Sequence, residues 1–564
     1  MVLAALFSAK VFGAASWTNS SGGFWWDGIN WSGGQAPNVN LGSTLITNGT
    51  TKTVTVDALT PSINLVINSL TVAGPTDITN TLRLVDLGAN NPLMLTNNAS
   101  LTVASGGALS ITNSSLLITL RESFANISFN VWAGSATLDS GSIIAREEEP
   151  TFGGIIVTRI GRTNSASLTI NGGTMDVTRL LIAESPGSQF ARSQGTVRLT
   201  GGLLSVAEEL SIGDGVMCTG LVEMTGGQLV VANHQTNVTR IGDAGIGTMT
   251  VSNAAVEVGS VSVGRHDSSL GLLVLQPTGT MNCSDDLSIG RFSGATGTVF
   301  VAGGNLMVPD HPIWVGREGD GQMILSNGFV HAESFHVAIV PTNTARGLVT
   351  LAGGTTLVTS NFVLGDGAVT TGRVIMTGGQ LFVTNDLGTA FLTLPSGDFT
   401  LNGGEVTADH IFETNAMGGM TFNGGRLNSG GTVVSNDLPF TVGDGTNSAM
   451  LHLLGGTHLF ANGLVISSNA TLSGCGTIVG TIINQGTIAT NCLPALVLTD
   501  AMLNGMQFSF SFESVNNLTY TIEYKTNLNQ PGWFPLRTNM GNGGVITIQD
   551  PVTTTGRFYQ VRAE

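Results

Sequence analysis

Four arginines stand at one recurring place in the chain: Arg162, Arg265, Arg291 and Arg317 each follow an Ile-Gly or Val-Gly pair. A guanidinium is a planar, permanently charged fork that grips carboxylates and other oxyanions, so a row of them implies anion binding and not proton transfer. If the segments that carry them stack in register, Arg265, Arg291 and Arg317 lie about 5 Å apart. Such a ladder repels itself unless Asp267, Asp285, Asp286 and Glu318 interleave with it, or an external anion bridges it. Internal pairing is the plain expectation, and contact with an anionic glycan is the functional one.

Other reactive side chains are less organised. Asp214, Asp243 and Asp366 follow a glycine, and Asp320 and Asp444 sit in Gly-Asp-Gly strings. All five are expected at equivalent corners, where a carboxylate closes a turn through local hydrogen bonds; calcium held at stacked corners is the alternative. The calcium-binding nonapeptide pattern is absent. His331 with His336, and His452 with His458, lack the spacing and third ligand of a zinc site and are expected at the surface. Glu147, Glu148 and Glu149 before Pro150 read as a solvated loop. No nucleophile elbow, phosphate loop or dinucleotide fingerprint occurs in a strand-turn-helix setting, so no cofactor, metal or catalytic residue is assigned.

The elements that position these residues come from a repeat. Gly-Gly pairs or their equivalents fall near positions 201, 226, 253, 278, 303, 328, 353, 378 and 403, a period of about 25. Each unit alternates apolar and polar residues on both sides of the pair, as in Val197 to Val206, and then reaches Leu210-Ser211-Ile212-Gly213-Asp214. That pattern gives short strands, which cannot make a core singly. A propeller blade needs roughly 40 residues, so one turn of a solenoid fits better. The expected fold is a right-handed, single-stranded parallel β-helix of about 25 residues per coil. About eighteen coils would stack to roughly 85 Å.

Composition agrees and excludes several functions. The chain is rich in β-branched residues and in glycine, with 77 Gly and only 10% charged residues, which is a strand composition and not a disordered one. A net charge of −16 with three lysines, Lys10, Lys52 and Lys525, offers no field for nucleic acid. Beyond the N-terminal apolar run no segment approaches 18 apolar residues, so no membrane span is expected. Residues 1–15 are apolar and end in small residues, as a secretory signal does, though they lack a basic start; a first β-strand is the other reading. Cys218 and Cys283 look like buried fillers, whereas Cys475 and Cys492, 17 residues apart in a glycine-rich stretch, lie within disulfide reach if one short coil separates them.

Several segments carry a resemblance. Leu-Thr-Gly-Gly at 199 to 202, Met-Thr-Gly-Gly at 224 to 227 and 376 to 379, and Phe-Asn-Gly-Gly-Arg-Leu at 422 to 427 resemble the autotransporter-associated β-strand repeats of large secreted bacterial proteins, some of which carry PEP-CTERM-type sorting tails. Trp26-Asp27-Gly28 through Asn30-Trp31-Ser32-Gly33-Gly34 to Pro37 is similar to their N-terminal motif. Leu472 to Ile478 and Asn484 to Ile488 are similar to their last coils. The resemblance implies an exported β-helix and says little about activity.

From about residue 498 the style changes. All three tyrosines appear, in Tyr520-Thr521-Ile522-Glu523-Tyr524 and Arg557-Phe558-Tyr559, together with Trp533 and Asp550-Pro551. A small antiparallel β-sandwich is expected there, resembling C-terminal sorting modules and able to cover an open strand edge. The expected organisation is thus a leader at 1–15, a capping segment at 16–60, the β-helix at 61–497 and the sandwich at 498–564. The function expected is that of an extracellular or cell-surface bacterial rod, structural or adhesive and without catalysis, contacting surface or matrix polysaccharide. The alternatives are a homo-oligomeric filament and a polysaccharide-cleaving β-helix enzyme.

Overall fold

The computed structural model describes residues 13–96, 100–119, 128–146, 156–185, 192–231, 238–339, 345–365, 371–489, 496–516, 518–530, 532–551 and 556–563. Most of the leader at 1–15, the Glu147 to Glu149 segment, Asp366 and Cys492 lie outside the described residues. The chain divides into two compact units. The first holds the described residues up to Leu472 together with Thr477–Thr487, and the second holds Ser473–Gly476 with Ile488 onward.

The first unit is a parallel β-solenoid of about 16 turns of roughly 26 residues. A typical coil has a first strand, Thr219–Met224, a second, Gln228–Val231, and a third, Val238–Ile241. Alternation decides which way each residue faces: Val222 and Met224 are buried, while Leu221 and Glu223 keep partial exposure. Every strand then pairs in parallel with its equivalents in the neighbouring coils, Val222 lying between Val197 and Met249. There are fewer turns than the eighteen expected, because the connections between strands differ in length and stretch the period beyond 25, as between the second strand Gly141–Ala145 and the third strand Val157–Ile160.

Stacking begins earlier than residue 61. Ala15–Ser16 pairs with Thr44–Leu45, and Gly23–Phe24 with Val54–Thr55. Three buried indoles pack together in this first described part of the stack. Trp17 and Trp25 both meet Trp31 edge-on at 5.0 Å, and Trp31 Nε1 donates to the Trp25 carbonyl at 2.8 Å.

One interior column shows how the core is built. The last inward residue of each third strand runs in register from Ile46 through Ile212, Ile241, Val263 and Ile289 to Leu364, and every member is aliphatic and buried. Further on, the same column contains Glu413, stacked on Val434, which stacks on Phe460. A carboxyl there breaks the pattern.

Two columns of glycine meet where the third strand turns into the next first strand. In the first strands Gly220, Gly247, Gly271, Gly297, Gly321 and Gly347 stack on one another. A Cβ on Gly271 would lie 2.2 Å from Gly264 N and 2.3 Å from the Ile241 carbonyl oxygen. Gly264 has φ +69°, and a Cβ on it would reach within 2.1 Å of the Thr296 carbonyl oxygen. Backbone therefore packs directly on backbone along this seam, which only glycine permits.

The second unit holds two three-stranded antiparallel sheets. Gln507–Glu513 lies between Thr499–Asn504 and Val545–Pro551, and Thr519–Lys525 lies between Phe534–Met540 and Phe558–Ala563. Phe510, Phe512, Tyr520, Ile522 and Ile548 form their core. Buried Asp550 accepts from Arg557 Nη1 at 2.6 Å and from the Tyr559 hydroxyl at 2.7 Å, and the Arg557 guanidinium lies over the Tyr524 ring. The tyrosines that mark the change of style are thus core and network residues of this unit.

Candidate functional site

The arginine ladder forms in register. Val263, Ile289 and Val315 pair successively in their third strands, so Arg265, Arg291 and Arg317, two residues further along, occupy one corner of three consecutive coils. The residue before each, Gly264, Gly290 or Gly316, has φ between +65° and +69°, which turns the chain sharply enough to bring every arginine out at the same place. Arg162 belongs to the same column, but the coils between carry Glu184, Asp214 and Asp243 at this position. The corner therefore changes sign twice along the stack, from basic at Arg162 to acidic at Glu184, Asp214 and Asp243, and back to basic from Arg265.

The three arginines are neutralised unequally. Arg265 Nη1 donates to Asp243 Oδ1 at 2.9 Å, and Arg317 Nη1 donates to Asp286 Oδ2 at 3.1 Å. Between them Arg291 donates to the Ser262 hydroxyl at 3.0 Å and, among the described residues, has no carboxylate within ion-pair distance. Burial pushes its guanidinium pKa down, and the neighbouring Arg317 and Arg265 add to that against the opposing pull of Asp286. The expected internal pairing therefore holds for the outer two members and fails for the centre. Of the acids expected to interleave, Asp286 pairs with an arginine of the ladder, whereas Asp285 approaches His311 at 3.6 Å and Asp267 accepts from Ser268 at 3.3 Å.

Aromatic rings line the same corner. The Arg265 and Arg291 guanidinium carbons lie 5.8 and 5.3 Å from the centre of the Phe292 ring, and that of Arg317 lies 4.9 Å from Trp314. His266 stacks on Phe292 at 5.7 Å and His336 on Trp314 at 4.5 Å. Rings beneath guanidinium planes hold them in place without neutralising them. Composition alone did not point to these rings; the signal was there in Arg291-Phe292 and in Trp314 three residues before Arg317.

The aspartates divide into three settings. Asp214 and Asp243 are corner residues. Asp214 accepts from the Ser211 hydroxyl at 2.7 Å, and burial pushes its carboxyl up to about 6. Asp320 is not at the corner: it opens a first strand, between Thr296 and Arg346. Asp444 follows a different turn, between first and second strands, where the backbone N–H groups of Asn447 and Thr446 hold its carboxyl well below the usual range. The string Gly-Asp-Gly is short enough to serve all three settings. Among the described residues no three His, Cys, Asp or Glu side chains converge as a metal site.

Three further expectations meet the structure here. Cys218 and Cys283 are buried thiols, and burial pushes the Cys283 thiol up to about 12. Cys475 is disulfide-bonded. His458 is not a surface residue: it is fully buried, with Nδ1 3.0 Å from the Thr432 hydroxyl and Nε2 2.8 Å from the Gly455 carbonyl, so both ring nitrogens are satisfied inside. No helix among the described residues is long and apolar enough to cross a membrane.

No protein-family model, no curated protein and no solved structure matches this chain.

Proposed function

We propose that the chain is a rod-like structural or adhesive component of a bacterial surface or extracellular matrix, without catalytic activity, that engages anionic polysaccharide through its arginine corner. The observation that carries this reading is the ladder itself. Three guanidiniums repeat at the coil spacing over a ring-lined corner, and the middle one has no carboxylate partner within the described residues. A stack in which successive coils present the same face binds by repetition, and an extended polymer matches it better than a compact ligand. The test is a glycan panel scored for both binding and chain cleavage, with the triple variant Arg265→Gln, Arg291→Gln, Arg317→Gln as control. Binding to acidic glycans that the triple variant loses supports the reading; binding that survives the substitutions, or none at all, refutes it. Electron microscopy of the purified protein separates single rods from filaments.

A second reading, a polysaccharide-cleaving solenoid, is favoured by a cavity of about 580 Å³ whose walls include Glu257, Asn282 and Asp310. Two carboxylates beside one cavity are the minimal equipment for acid-base cleavage of a glycosidic bond. Product release from the panel that disappears in Glu257→Gln and in Asp310→Asn would establish it.

A further inference from the structure

The ladder continues beyond the three corner arginines. After Arg317 the chain turns through Gly319 into the first strand that opens at Asp320, and the next two coils place Arg346 and Arg373 on this face. Arg346 sits directly over Asp320 in the register, and Arg373 lies one coil further and two residues along. Both are exposed, and among the described residues neither makes an ion pair or a side-chain hydrogen bond. With Thr296, Thr298, Asp320 and Gln322 they line a groove of about 410 Å³. Arg265, Arg291, Arg317, Arg346 and Arg373 thus supply one guanidinium from each of five consecutive coils, slanting from the corner onto the first-strand face.

The chain as a whole is acidic, with a net charge of −16, so unpaired arginines in a row are not a general feature of its surface. Arg291, Arg346 and Arg373 are the members with no ion pair among the described residues, Arg346 stacking beside Asp320 and Arg373 beside Asp398 in the register. The groove between the last two adds the hydroxyl and amide groups of Thr296, Thr298 and Gln322, suited to sugar hydroxyls, next to the Asp320 carboxylate. The spacing narrows the ligand further. Guanidiniums recur at the strand-to-strand distance of about 4.8 Å. A linear polymer of uronic acids carries one carboxylate on every sugar, and one sugar advances the chain by about the height of one coil.

We propose that these five arginines form one stripe that binds a linear polyuronate, its chain running along the stack axis with one carboxylate per coil. This rests on the reading of the corner as an anion site, and it adds the length, direction and chemical class of the ligand. The stripe contributes charge and register, the rings of Phe292 and Trp314 hold the guanidinium planes, and the groove contributes neutral hydrogen bonds.

The test is calorimetric titration of the full chain with defined uronate oligomers of increasing length, with neutral and sulfated polymers alongside. Affinity should rise with each added sugar up to about five and then level, because further carboxylates meet no further arginine. The double variant Arg346→Gln, Arg373→Gln should lose at least tenfold in affinity for the longer oligomers and little for a trimer, with an unchanged circular dichroism spectrum. Arg291→Gln should weaken both. If the double variant binds long oligomers as the parent does while Arg291→Gln does not, the stripe is refuted and the three-residue corner stands. If Arg291→Gln is also without effect, or the parent binds no uronate, both readings fail. Equal binding of neutral or sulfated polymers of matched length would overturn the assignment to uronates.

Discussion

Replacing Glu413 tests the interior of the solenoid more directly than any surface change. The carboxyl occupies a column that is aliphatic from Ile46 to Leu364, and its residue is 1% exposed. Asn436 Nδ2 reaches Oε2 at 3.3 Å, while Oε1 is buried and has no hydrogen-bond partner among the described residues. Burial, against the weaker pull of a hydrogen bond from the Met420 backbone, raises the carboxyl from an ordinary 4.5 to about 7. Each pH unit between those values is worth about 1.4 kcal/mol, so the coil carries a penalty of about 3 kcal/mol once the carboxyl is ionised. Below pH 4.5 the group is protonated whether the coil is folded or open, and the penalty is absent. As pH rises the opened chain ionises first, and stability falls until the folded carboxyl ionises near 7.

Glu413→Leu restores the column and removes the titration. Solenoids open locally, so the assay is hydrogen exchange of the strand amides in residues 410–434 at several pH values, corrected for intrinsic exchange. The opening free energy of the parent should fall relative to Glu413→Leu by about 3 kcal/mol between pH 4 and pH 8. Glu413→Gln should be as insensitive to pH as the leucine variant. Parallel pH profiles in parent and variants would refute the argument, since they would mean that the carboxyl finds in the folded coil the solvation it has in the open one.

The other expectations concern the seam and the second unit. Gly271→Ala forces a Cβ against backbone atoms at 2.2 and 2.3 Å and should cost about 2 kcal/mol or more in chemical denaturation, whereas Gly49→Ala, with nothing within 4 Å, should be close to neutral. Asp550→Asn leaves Arg557 without its buried partner and should destabilise the second unit by about 3 kcal/mol. The same substitution should bring the Tyr559 hydroxyl down from about 12 toward its ordinary 10, but not fully, because burial is the larger cause; ultraviolet titration of the tyrosines measures this. In the parent, the stability this hydroxyl contributes should be complete below pH 10 and fall away as pH rises from about 10 to about 12.

The solenoid was legible because its signals are local and repeat: alternation marks each strand, and a glycine at φ > 0 marks many of the turns, with Asn253 at +46° where the Gly-Gly pair is missing and Ala183 and Ala338 at +62° and +52° in place of the corner glycine. The arginine register was legible for the same reason, each side chain being tied to an Ile-Gly or Val-Gly pair. What escaped depends on neighbours distant in the chain. Nothing around Ile411-Phe412-Glu413 says that Glu413 faces Val434 and not water. His458 reads as polar until Thr432 is seen beside it. Arg346 and Arg373 flank glycines of the first-strand column, and only the register reveals that they prolong a row begun at Arg265. Asp320 was misplaced because its Gly-Asp-Gly string is too simple to identify one turn.

The glycine seam also bears on how such a chain can change in length. Each contact along it joins residues of different coils, Gly271 to Gly264 and Gly264 to Thr296, so every coil owns half of two joints and the whole of neither. An insertion or deletion that keeps both glycines in step leaves the joint on either side intact. One that moves a single glycine leaves a Cβ facing a carbonyl. The stack is therefore free to grow or shrink by whole coils and resists change by fractions of one.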